Sequence, residues 1–285
     1  MGECNWKDFF EQSDRFIQEW RKSPEECARK SVYLQASGGE KSFLYEDKNF
    51  MPEPFLGNPE RCSAVMLNLN PAAPMGKFCK DNDYANEIIS DGYSERAKEW
   101  KIFEENDGGF IWWAKRENWL NRILGNKDTT LKPFSIDICP WHSKSWGKLD
   151  YQNKKLIDTI NENVLTPAFN AVKNSRIPFA IAIGKDFYDV LTIEDENNEP
   201  YLGFTQKERL DKGIPNEDAK DLTMPKWPQS STTKKPTNKA FAIFENDNKD
   251  RILCIWCPDG GSNQPPQSGF DELVQNFVKK YKNNI

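Results

Sequence analysis

Asn70, His142 and Asn263 each stand in a proline-punctuated polar turn just past an apolar run: Asn70-Pro71-Ala72-Ala73-Pro74, Pro140-Trp141-His142-Ser143-Lys144 and Pro258-Asp259-Gly260-Gly261-Ser262-Asn263. An amide side chain can orient a water or read a polar ligand. An imidazole can hydrogen-bond or move a proton near neutral pH, and adjacent glycines can turn backbone N–H groups toward an anion. Proline fixes φ and removes a ladder donor, so an apolar strand stops abruptly where one follows it. A single turn of this kind is ordinary strand termination; several together, all carrying polar groups, have the composition of a shared site. His142 is the only histidine of the chain, so any imidazole chemistry rests on it, with a structural hydrogen-bonding role as the alternative. Trp141, Ser143 and Lys144 beside it, and Gly260, Gly261, Ser262 and Asn263, are candidate ligand contacts. Cys254 and Cys257 are three apart on one expected strand, which points their side chains to opposite faces. No metal and no cofactor is expected.

The elements that must hold these turns follow from periodicity. Trp6, Phe9, Phe10, Phe16, Ile17 and Trp20 recur at helical spacing and predict an amphipathic helix over 5–22. Ser23 before Pro24 then reads as the N-cap of a second short helix. Residues 33–58 read as irregular, with a short strand at 42–45. Apolar runs at 64–69, 134–139 and 179–183 predict strands. Helices are predicted in pieces over 83–124, with breaks at Gly92 and at Asp107-Gly108-Gly109, then over 151–174 with a kink at Pro167, and over 186–191. The runs 240–244 and 251–256 predict a hairpin, and a helix ending near Tyr281 follows. The polar, lysine-rich stretch 194–239 reads as an insertion or long surface loop. Strands alternating with helices, several of them continuously apolar, call for a mainly parallel sheet covered on both faces. In such sheets ligands bind beyond the carboxyl ends of the strands, where the polar turns lie.

The chain has 285 residues, enough for a single α/β domain with an N-terminal helical extension (1–50) and the polar insertion (194–239). Its net charge is −5 and its pI about 5.3, which excludes a surface that is basic throughout, though Lys77, Lys144, Lys148 and Lys185 could form a local basic crevice. No window approaches the roughly 18 apolar residues of a membrane span, and the first residues lack the pattern of a secretory signal. Seven scattered cysteines read as reduced thiols, so a cytoplasmic location without membrane partners is expected.

The segment Pro54-Phe55-Leu56-Gly57-Asn58-Pro59, the strand at 64–69 and the following Asn70-Pro71 resemble the first motif of the uracil-DNA glycosylase superfamily, in its less characterised bacterial branch. The resemblance covers about residues 54–282. It implies a three-layer α/β/α fold with a mainly parallel four-stranded sheet in order 2-1-3-4. It also implies that Asn70 orients the water that attacks the sugar, that Phe78 stacks on a flipped base, and that the partner is DNA or a related nucleoside. The family's last motif has His-Pro-Ser where this chain has Cys257-Pro258-Asp259. His142 would then be the remaining donor to the base. Two readings result: an N-glycosyl hydrolase, or a non-catalytic member of the same fold that binds nucleic acid, a nucleotide or a protein.

Overall fold

The computed structural model describes residues 5–71, 73–100, 108–125, 132–147, 149–184, 186–212, 239–256 and 271–282. The chain begins with α1 (Trp6–Lys22), capped by the Asn5 side chain on the Lys7 N–H. Its aromatic stripe is part of the core. Phe9 packs on Phe55 at 5.1 Å and Trp6 on Phe134 at 6.1 Å between ring centroids, while Trp20 is fully buried with its indole N–H on the Lys48 carbonyl. The expected helical extension is thus packed against the first strands. Ser23 caps α2 (Pro24–Lys30), as its place before proline predicts, and α3 (Val32–Ala36) follows. The strand expected at 42–45 is a turn instead, in which Ser42 Oγ accepts from the Leu44 N–H.

The sheet has seven strands: β1 (Phe55–Leu56), β2 (Val65–Asn68), β3 (Phe134–Asp137), β4 (Ala180–Ile183), β5 (Thr205–Lys212), β6 (Lys239–Glu245) and β7 (Arg251–Trp256), in spatial order β1-β3-β2-β4-β7-β6-β5. β2 pairs in parallel with β3 and β4, and β4 with β7; β1, β6 and β5 join antiparallel. The four-stranded expectation is therefore corrected to a seven-stranded mixed sheet. Of the three extra strands, β1 is a two-residue pairing after proline, β6 is the first strand of the expected hairpin, and β5 is part of the polar stretch 194–239. Thr205-Gln206-Lys207-Glu208-Arg209 is charge-dense and does not advertise a strand, yet charged residues suit a strand paired on one side to an apolar neighbour. Residues 213–238 lie outside the described residues.

Every residue of β2 and β4 is buried, which requires cover on both faces of the sheet there. Full burial of each Val, Met, Leu or Ile side chain among them contributes roughly 1.5–3 kcal/mol. Between β2 and β3 lie α4 (Asp83–Asp91), α5 (Tyr93–Lys98) and α6 (Gly108–Leu124), with Gly92 at φ +89° separating the first two. The predicted helix over 151–174 is α7 (Lys154–Ile160), a π turn (Asn161–Leu165) and α8 (Thr166–Val172). Pro167 explains the interruption. A proline ring crowds the carbonyl four residues back, and widening the helix so that the Thr166 N–H reaches the Asn161 carbonyl moves that carbonyl aside. α9 (Asp186–Leu191) and α10 (Asp271–Lys282) complete the chain. Among the described residues no helix is long and apolar enough to cross a membrane, and Cys27, Cys62, Cys79, Cys139 and Cys254 are unbridged.

Candidate functional site

The carboxyl ends of β2 and β3 lie side by side because the ladder between them continues past both strands. The Ile138 N–H donates to the Asn68 carbonyl at 2.7 Å and the Cys139 N–H to the Leu69 carbonyl at 3.0 Å. The polar turns that follow are thereby brought together. Asn70 Nδ2 donates to the Trp141 carbonyl at 3.2 Å and to Ser143 Oγ at 2.9 Å. Both donors of the amide are thus directed at the 141–143 turn, and its Oδ1 faces away from them.

His142 sits between those two contacts with its side chain 1% exposed, and its Nε2 lies 3.1 Å from Glu53 Oε1, itself 5% exposed. Phe78 packs on the imidazole at 5.9 Å, tilted by 31°, and Phe50 meets it edge-on at 6.3 Å. The strand-like segment around Glu53 is clamped from both sides. The Met51 N–H donates to the Phe78 carbonyl at 2.8 Å and the Glu53 N–H to the Pro140 carbonyl at 2.9 Å. The neighbouring Lys144 N–H donates to the buried carboxylate of Asp47 at 3.1 Å.

One strand position further in, Asn68 Nδ2 donates to Ser135 Oγ at 2.7 Å, and Asn68 also hydrogen-bonds the Asp137 carboxyl. Asp137 is pushed up to about 8, first by burial and then by the negative Glu53. The Asn68 hydrogen bond and the Arg116 guanidinium pull the other way. Arg116 of α6 is fully buried, and that burial pushes its own proton affinity down against the opposing pull of Asp137. Tyr93, whose hydroxyl donates to the Phe55 carbonyl at 2.6 Å, is pushed up by the same burial and by Glu53.

Of the residues singled out in the sequence, Asn70, Phe78, Trp141, His142 and Ser143 therefore converge, with Pro71 directly after Asn70. Phe78 and His142 are enclosed and not open to solvent. Trp141 is buried too, its indole N–H on Ser31 Oγ at 3.0 Å. The Lys144 side chain is exposed, and Lys77 lies over the rings of Phe78 and Tyr84 at 5.4 and 4.9 Å. Lys148, Lys185, Cys257, Gly260, Gly261, Ser262 and Asn263 lie outside the described residues. Glu53, Asp137 and Arg116 are the charged groups that sequence reasoning missed. The one available signal was Glu53 held between Pro52 and Pro54, a rigid frame for a carboxylate. Among the described residues no three His, Cys, Asp or Glu side chains are grouped to hold a metal ion.

No protein-family model matches this chain, and comparison with curated proteins and with solved structures found no match either.

Proposed function

We propose that the ends of β2 and β3 form a hydrolytic site of the uracil-DNA glycosylase type, cleaving an N-glycosidic bond of a base in DNA or a related nucleoside. The observation that carries this reading is the Asn70 amide bridging the Trp141 carbonyl and the Ser143 hydroxyl, across the ends of two parallel strands. The order β3-β2-β4-β7 of the mutually parallel strands supports it as well. Asn70, its two N–H groups held by protein acceptors, presents Oδ1 to a water, while negative charge leaves with the departing base. Glu53 sets the orientation of His142.

A second reading, a non-catalytic binder on this fold, is favoured by the enclosure of Phe78 and His142: a base reaches them only if the 49–53 and 78–80 segments part. Base release from single- and double-stranded oligonucleotides carrying uracil, hypoxanthine or mismatches decides between them, with Asn70→Ala measured alongside. Release by the wild-type chain that falls at least a hundredfold in Asn70→Ala establishes the hydrolase. No release from a chain with a native circular dichroism spectrum establishes the binder.

A further inference from the structure

A cavity of about 320 Å³ opens between α1, the α2–α3 corner, the π turn and the end of β3. Phe9 and Phe16 of α1, Tyr33 of α3 and Trp141 past β3 line it with rings, and Ile136 and Val164 add aliphatic walls. These rings are held by the core and by one another. Phe9 leans on Phe55 at 5.1 Å and Phe16 meets Trp141 edge to face at 5.8 Å, so the space does not close by one side chain turning. The serine hydroxyls of the lining are already engaged. Ser13 Oγ donates to the Phe9 carbonyl at 3.0 Å, and Ser31 Oγ accepts from the Trp141 indole N–H at 3.0 Å. Water finds few partners in such a chamber, and a preformed apolar space of this size suits a small organic guest.

We infer that this cavity binds a small neutral aromatic molecule of the size of two fused rings. A cavity of about 150 Å³ with aliphatic and aromatic walls holds one benzene ring, and this one is about twice as large. Rings on the wall favour a ring in the space, because offset and edge-to-face contacts add to what burial alone contributes. The charges on the lining argue for a neutral guest. Glu19 and Lys30 are exposed and of opposite sign, and Lys30 is already paired with Glu26 at 2.6 Å. Asp137 borders the cavity too, but the groups that act on its carboxyl, Glu53, Asn68 and Arg116, all stand off the lining. A charged ligand would leave water without a counter-ion set to receive it. The inference stands apart from the hydrolytic reading. Trp141 lines the cavity while its carbonyl accepts from Asn70, and neither Asn70 nor His142 is on the lining.

The probe is 2-naphthol, titrated calorimetrically into the full chain at pH 7. Beside it stand three molecules of similar shape: the saturated decahydro-2-naphthol, the anion 2-naphthoate and the cation 2-naphthylmethylammonium. One 2-naphthol per chain is expected, bound about threefold or more tighter than the saturated alcohol and about tenfold or more tighter than either ion. Cys27 reports the place. It lines the cavity and is unbridged, so saturating 2-naphthol should slow its alkylation by iodoacetamide, read by peptide mass spectrometry. Cys79, unbridged and off the lining, should react at an unchanged rate. Cys27→Phe fills the space from its wall and is expected to weaken 2-naphthol binding about tenfold. Should that variant fail to fold, protection of Cys27 in the wild-type chain reads the same point. No binding of 2-naphthol, equal binding of the saturated alcohol or of either ion, or binding that leaves Cys27 alkylation unchanged would each overturn the inference.

Discussion

Glu53 Oε1 and His142 Nε2 face one another at 3.1 Å inside the protein, joining the segment before β1 to the turn after β3. Neither side chain has water to fall back on, so the pair acts as a rivet whose halves depend on each other. Removing one partner of a buried pair strands the other in a medium that penalises it.

Glu53→Ala is therefore expected to destabilise the protein by about 3 kcal/mol or more, and Glu53→Gln, which keeps a hydrogen-bonding group in place, by less than half of that. Urea unfolding followed by circular dichroism measures both. A loss below about 1 kcal/mol for Glu53→Ala would mean that the pair contributes little, whatever its burial.

Asp137 makes stability depend on pH with an unusual sign for a carboxylic acid. The folded protein retains the Asp137 proton up to about 8, whereas an unfolded chain releases it near 4, about the ordinary value. Between those limits the folded state binds more protons, so raising the pH favours unfolding. The penalty is absent below about pH 4 and complete above about 8. Asp137→Asn should thus gain on the wild type in thermal stability as the pH is taken from 5 to 8.5. A difference that stays constant over that interval would show that Asp137 ionises as an ordinary carboxylate.

Gly57 lies at φ +92°, and a Cβ there would stand 2.3 Å from the Pro133 carbonyl oxygen, 2.8 Å from Trp100 Nε1 and 3.2 Å from Phe134 Cα. Both the backbone conformation and the contact with backbone forbid a side chain. Gly57→Ala is expected to cost about 2 kcal/mol or more, by denaturant midpoint at unchanged slope. Gly39, at φ +65° but with nothing near its Cβ position, serves as control and should cost less.

The apolar runs at 64–69, 134–139 and 179–183 announced β2, β3 and β4 because buried strands have little choice of composition, and the Ser23-Pro24 pair announced the start of α2 for the same local reason. The meeting of Asn70 with the 141–143 turn was legible through the prolines that end both strands. The charged half of the site was not. Glu53, Asp137 and Arg116 sit in segments whose local pattern says loop, strand end and helix face; their convergence is a property of how the sheet is wound. β5 stayed hidden for another reason: a charge-dense strand at the end of the sheet order has the composition of a surface loop.

The two peptide hydrogen bonds that prolong the β2–β3 ladder, Ile138 to Asn68 and Cys139 to Leu69, have a kinetic consequence. The approach of the two turns is set by main-chain register, so it is expected to form with the pairing of the central strands and to be lost with it. The Ile138 and Cys139 amide hydrogens should exchange with solvent only when the whole sheet opens. A variant that keeps this slow exchange has its turns in place, and whatever function it has lost was lost from the side chains.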